Sequence, residues 1–180
     1  MVKLHLGCGP QIWPQEEGWI NVDLPDSPFS IQPDVKADAR ELPFEDNYAD
    51  EVHAIHLIEH FYYWDAPKAL REWKRVLKPG GLLVLELPDI EKVLTMWANG
   101  ISGMAKTWFA LYGDPRGNNP LMSHHWCYSF SMIKEMLEDR GFEDIIKLDP
   151  KFHFVVRDMR VECRKRKEGS LSIPLKEKES

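Results

Sequence analysis

An open α/β fold with a mostly parallel sheet is what this 180-residue sequence predicts. Short apolar strands alternate with helical segments or long crossovers along the chain. One of them, Leu82 to Leu87 (LLVLEL), is almost continuously apolar, as a strand covered on both faces must be. Glycine or aspartate stands where several strands end, and open sheets bind ligands at the carboxyl ends of their strands.

The elements follow in order. Val2 to Leu6 is a strand that meets the turn Gly7-Cys8-Gly9-Pro10. Trp19 to Leu24 is a second strand, ended by Pro25. Pro28 and Pro33 keep the next stretch irregular, and Val35 to Ala39 is a short third strand closed by Leu42-Pro43-Phe44. Ala49 to Leu57 is the fourth. Asp65 is placed as an N-cap with Pro67 in the first turn, and Leu70, Trp73, Val76 and Leu77 recur at helical spacing. Pro79-Gly80-Gly81 stops that helix before the fifth strand. Ile90 to Tyr112 fits a helix pair broken near Asn99-Gly100. Gly113 to Ser123 is a loop. Ser131 caps a helix that runs to Arg140 and ends at Gly141, and 142–148 and 152–161 form an antiparallel hairpin. The chain reads as one domain over 1–163, with a lid-like insertion at about 90–127 and a charged tail over 164–180.

Composition excludes several function classes. The net charge of −6 argues against a general nucleic-acid partner. No apolar run reaches the roughly 18 residues of a membrane span, and the N-terminus lacks the pattern of a secretory leader. Cys8, Cys127 and Cys163 are too scattered for a disulfide framework or a zinc knuckle, which points to the cytoplasm.

The strand ends suggest a nucleoside. Gly7 and Gly9 let a ligand approach the backbone. Asp23 ends the neighbouring strand, where an acid accepts both hydroxyls of a ribose. Asp38 ends the third, placed to accept from an adenine amino group. A dinucleotide needs a helix N-terminus for its pyrophosphate. The nine residues between Gly9 and Trp19 include Pro10 and Pro14 and leave no room for such a helix. S-adenosylmethionine (SAM) has the ribose and adenine without phosphates.

The blocks LHLGCGP, INVDL, DARELPF, ADEVHAIHLIEHF and REWKRVLKPGGLLVLELPD resemble the class I SAM-dependent methyltransferases, above all the methyltransferase type 11 group. The resemblance covers roughly residues 2 to 89 and implies a Rossmann-like class I methyltransferase fold with SAM as cofactor. It implies that Gly7, Cys8 and Gly9 face the methionine part, that Asp23 with Leu24 holds the ribose, that Asp38 with Ala39 reads adenine, and that His56 meets the methionine portion. The chain departs from the family at His5, where an acid is usual, at Gln11, where a third glycine is usual, and in its reduced flanking helices.

His56-Leu57-Ile58-Glu59-His60 also matches the spacing H-x-x-E-H of certain zinc proteases, which carry it on a helix. His56 belongs to a strand here, so the two rings need not converge, and no metal is expected. His60 either fixes the next segment or touches substrate. A hydroxyl acceptor has to lose a proton, and His60, His124 and His125 are the candidate catalytic bases. The Met- and aromatic-rich segment 93–112 is either core and dimer packing or a lid, with Trp108, Tyr112 and Trp126 selecting a flat or sugar-like acceptor. The expected partner is a small-molecule acceptor, with a homodimer as a candidate assembly. The competing reading is a degenerate methyltransferase fold that serves as a non-catalytic SAM sensor.

Overall fold

The computed structural model describes residues 1–27, 32–114, 116 and 118–167. Pro28 and residues 168–180 of the tail therefore lie outside the described residues. Seven strands form one sheet: β1 (Lys3–Leu6), β2 (Trp19–Asp23), β3 (Val35–Lys36), β4 (Ala49–Ile55), β5 (Leu77–Pro88), β6 (Phe142–Leu148) and β7 (Asp158–Lys165). Their order is β3-β2-β1-β4-β5-β7-β6. The first five run parallel, and β7 pairs antiparallel with both β5 and β6. The helices are α1 (Ala66–Val76), α2 (Ile90–Ala98), α3 (Met104–Tyr112) and α4 (Phe130–Glu138). No described helix is long and apolar enough to cross a membrane.

The period-2 alternation of the strands sorts two unlike faces. Leu4 and Leu6 of β1, Val52 and Ala54 of β4, and Leu83, Leu85 and Leu87 of β5 point into one core. α1 covers that core with Ala66, Ala69, Leu70, Trp73 and Val76, whose spacing follows the helical period. α4 adds Ile133, Met136 and Leu137. Trp73 is fully buried, and its indole N–H donates to the Ala39 carbonyl at 2.8 Å.

The other face is polar and aromatic. His5 and His53 are buried side by side in register. Trp13 stacks on His5 with centroids 3.8 Å apart and meets Trp19 edge-on at 4.3 Å. Beside them Glu86 and Arg160 form a buried ion pair at 2.8 Å, and Glu86 also accepts the backbone N–H groups of Lys151 and Phe152. β1 and β2 are joined through a single 3-10 turn at Gln15–Glu17, so Trp13 covers sheet that a crossover helix would otherwise cover. Asn21 holds this substitute in place: it accepts the Trp13 N–H at 2.8 Å and donates to the Trp13 carbonyl and to Asp34. β5 is thus buried on both faces, one face by leucines and the other by a satisfied ion pair.

Several boundaries differ from expectation: β3 pairs only at Val35–Lys36 rather than to Ala39, and β4 stops at Ile55 rather than Leu57. β5 begins at Leu77 rather than Leu82. Leu77 pairs with Ala49, and Lys78 to Gly81 bulge out before Leu82 pairs with Glu51. Gly80 has φ 79°, and a Cβ on Gly81 would lie 2.8 Å from the Lys78 carbonyl, so glycines permit the bulge. The α4 cap is Ser129, not Ser131: Ser129 is extended and accepts the Met132 N–H. Asp65 precedes α1 in helical conformation and caps nothing with its side chain, which turns toward Arg40 at 3.5 Å. The last strand starts at Asp158 and runs to Lys165, because residues 151–152 are bound to Glu86 instead of pairing in the sheet. Arg164 and Lys165, placed in the tail by sequence, therefore pair within β7.

Candidate functional site

Register brings the strand ends together. Leu6 lies opposite Val22 on one side and Ala54 on the other, so β1, β2 and β4 finish at one level. A cavity of about 390 Å³ opens there, within the size range of small-ligand sites. Gly7, Cys8 and Gly9 line it from β1, Asp23 and Leu24 from β2, Asp38 and Ala39 after β3, and His56 after β4. The structure thus gathers every residue that the sequence assigned to the cofactor.

Gly7 and Gly9 both have positive φ, 61° and 52°. A Cβ on Gly7 would lie 2.7 Å from a Leu57 methyl, so the turn has no room for a side chain. The Cys8 thiol lies 4.0 Å from Asp23, and burial, with Asp23 and Asp34 adding to it, pushes its pKa up to about 12. It is a neutral packing group. Asp23 fastens the turn to β2: one oxygen accepts the Gly9 N–H at 2.7 Å and the Ser27 hydroxyl at 3.3 Å. The other accepts the Leu24 N–H at 2.7 Å and keeps a lone pair.

Asp38 is more fully engaged. Arg40 donates its backbone N–H, Nε and Nη2 to the carboxylate at 2.7–3.2 Å. Arg40 thereby holds Asp38 below the usual carboxylate range. The guanidinium also approaches Asp65 and lies over the Phe61 ring. A side-chain contact from Asp38 to adenine requires Arg40 to give way, a constraint that was not visible in the motif.

His56 ends β4 with φ 50°, a left-handed conformation unusual for a non-glycine residue. Its Nδ1 lies 2.7 Å from Glu59 and its Nε2 3.3 Å from Asp158. Burial disfavours the charged ring, yet Glu59 and Asp158 together raise it to about 9, so it is an imidazolium at neutral pH. The same pairing holds both acids ionised against their own burial. Arg157 neutralises Asp158 from the other side. His153 packs edge-on against His56 at 4.1 Å. Sequence reasoning missed His153 and Asp158, because 152–161 read as one strand, whereas 151–157 is outside the sheet and β7 starts only at Asp158, next to His56.

Ile58–His60 forms a 3-10 turn, so His56 and His60 do not share a helix face. The geometry of the zinc-protease motif is absent. Residues 120–127 return over this turn: the N–H groups of His125 and Trp126 both donate to the Glu59 carbonyl, at 2.8 and 3.3 Å. His60 and His125 line the cavity. His124 does not; it packs edge-on against His60 at 4.8 Å. The far wall is aromatic, with Tyr62 stacked on His125 at 4.2 Å, and was also unanticipated. Trp126 packs on Tyr63, while Trp108 pairs with Tyr112 on α3.

This arrangement fits SAM. Two carboxylates stand at adjacent strand ends, the glycine turn leaves space a side chain would fill, and the Arg40 guanidinium in the lining is already neutralised by acids.

Comparison with known proteins agrees. Residues 19–85 match the family described as "Methyltransferase domain". The ubiquinone/menaquinone biosynthesis C-methyltransferase of Chromobacterium violaceum is 35% identical over 119 residues, which cover 62% of this chain and 47% of that protein. The chain thus spans about half the length of that relative. A SAM-dependent methyltransferase of Thermotoga maritima superposes with a TM-score of 0.62 at 17% identity, covering 92% of this chain and 82% of the other. Human N-acetylserotonin methyltransferase, solved with SAM, superposes with a TM-score of 0.61 at 14% identity over 92% of this chain and 47% of its own. Residues 19–85 thus resemble a methyltransferase domain in sequence, and the sheet order and superpositions show the Rossmann-like fold of the class I SAM-dependent methyltransferases.

Proposed function

We propose that this chain transfers the methyl group of SAM to a small, flat acceptor that enters against Tyr62 and His125. The observation that carries the proposal is one cavity running from Asp23 and Asp38 to that aromatic wall. When bound, SAM supplies an electrophilic methyl group on a sulfonium. Asp23 and the Gly7–Gly9 turn hold the nucleoside in register with the acceptor wall, and positioning of this kind is the main source of rate in a displacement. Tyr62 and His125, stacked at 4.2 Å, offer a flat acceptor an aromatic surface. His125 is exposed to the cavity and is the group placed to receive an acceptor proton. The Chromobacterium relative is named for C-methylation in quinone biosynthesis, so electron-rich aromatic rings are the first acceptors to assay. Cys8, Cys127 and Cys163 are free, and a cytoplasmic location belongs to this proposal. So does a homodimer through the exposed Trp97, Met104 and Trp108 of α2 and α3, which sedimentation over a range of concentrations tests.

The test of function uses SAM labelled in its methyl group with hydroquinones, catechols and monosaccharides. Label should pass to an aromatic acceptor with wild type, and His125→Ala should lower turnover without changing SAM affinity. Binding of SAM with no transfer to any of these compounds would overturn the acceptor assignment.

A further inference from the structure

We propose that Glu59, His60 and His124 form a site for one divalent transition-metal ion beside the cavity. Glu59 is almost wholly buried; its Oε1 is taken by His56, and its Oε2 has no hydrogen-bond partner. A buried, unpaired carboxylate oxygen is costly unless something cationic or donating completes it.

The two histidines offer no donor to fill that role when neutral. His60 Nδ1 lies 3.0 Å from the Ser123 carbonyl, and His124 Nδ1 lies 3.0 Å from the Ala110 carbonyl. A carbonyl only accepts, so both rings carry their proton on Nδ1 and present Nε2 as a lone pair. This is how metal-binding imidazoles are set: one nitrogen is fixed by a backbone acceptor and the other is left to the ion. One ligand atom of each of the three residues lies within 4.8 Å of the others. Small side-chain rotations close such a trio onto an ion at about 2.0–2.2 Å from each ligand.

The scaffold holds the trio together from three parts of the chain. His125 and Trp126 donate to the Glu59 carbonyl, His124 donates its N–H to Tyr112, and Gly113 bridges to Ser123. The loop that carries His124 is therefore clamped to the turn that carries Glu59 and His60. The other nearby trio, His56, His153 and Asp158, lacks this character, because Asp158 is already filled by Arg157 and by the Phe154 N–H.

Two imidazoles with one carboxylate select zinc, manganese, iron, cobalt or nickel over calcium. Three protein ligands leave at least one position for water or an acceptor oxygen. His60 belongs both to the trio and to the cavity wall, so the ion stands at the acceptor end. There it lowers the proton affinity of a bound hydroxyl. That use rests on the proposed function; the binding of the ion does not.

The experiment takes the full chain, freed of metal by chelation, and titrates it with Co²⁺ in the absence of SAM and acceptor. Visible absorption reads the ion's coordination, and Zn²⁺ competition confirms the site. Wild type should bind one equivalent. His60→Ala and His124→Gln should each weaken binding at least tenfold, while His125→Ala binds as wild type. Circular dichroism confirms that each variant is folded; His124→Gln keeps a polar side chain against Ala110 for this reason. Absence of stoichiometric Co²⁺ binding by wild type overturns the proposal. So does unchanged affinity in folded His60→Ala and His124→Gln. Neither result bears on whether SAM binds or methyl transfer occurs.

Discussion

Gly7 shows how one missing side chain sets up the site. Its φ is positive, and the space a Cβ would enter belongs to Leu57. Gly7→Ala therefore meets both a backbone penalty and a clash. We expect a loss of about 1–2 kcal/mol in stability, read by urea denaturation, and a larger fractional loss of SAM affinity, because the turn moves toward the ligand. Unchanged SAM affinity in the folded variant would remove the turn from the binding site. His56 is the opposite case. A bulky residue is held left-handed by two acids and by its own N–H bond to the Glu86 carbonyl at 2.7 Å. His56→Ala leaves Glu59 and Asp158 buried without their shared cation, so it should cost about 3 kcal/mol or more. A variant as stable as wild type would show that the acids find other partners.

At the scale of elements, the polar face of the sheet has its own signature in pH. Burial lowers His5 to about 4 and His53 to about 3, from an ordinary value near 6.5. Both rings are neutral when folded and take up protons when unfolded in acid. Their contribution is whole above pH 6.5 and is lost as pH falls toward these lowered values. We expect a drop of about 1–2 kcal/mol per ring between pH 7 and pH 5, measured by denaturation at each pH. His53→Gln should flatten the slope by roughly half, and an equal slope in wild type and variant would place the titration elsewhere.

The same face explains which elements were legible. Alternation and glycine placement marked the strand ends, so the parallel sheet and its binding edge could be read from local pattern. The Trp13–Phe152 stack, the Glu86–Arg160 pair and the clamp from Glu59 to His125 join residues far apart in sequence, and no local period announces them. The Ser129 cap was missed because Ser131, two positions on, has the same chemistry; only backbone conformation separates them. His124 differs from His125 by one position, yet only His125 lines the cavity, a distinction made by the return of loop 120–127 over the turn at Glu59.

At the scale of the whole molecule, the Glu86–Arg160 pair ties β5, β7 and the 150–157 segment into one body. Arg160→Met leaves Glu86 charged and buried, with two backbone donors but no counterion. We expect a loss of about 3–5 kcal/mol in denaturant unfolding, and a loss under about 1 kcal/mol would show that the pair carries little.

That glycines and carboxylates at successive strand ends make one nucleoside cradle is the proposal on which the functional reading stands. Calorimetric titration of the full chain with SAM tests it most directly. Wild type should bind one SAM per chain, and Asp23→Ala should bind at least about tenfold more weakly, as expected when a charged acceptor is withdrawn from a ribose hydroxyl. No binding by wild type at millimolar SAM, or equal affinity in the folded Asp23→Ala variant, would contradict it.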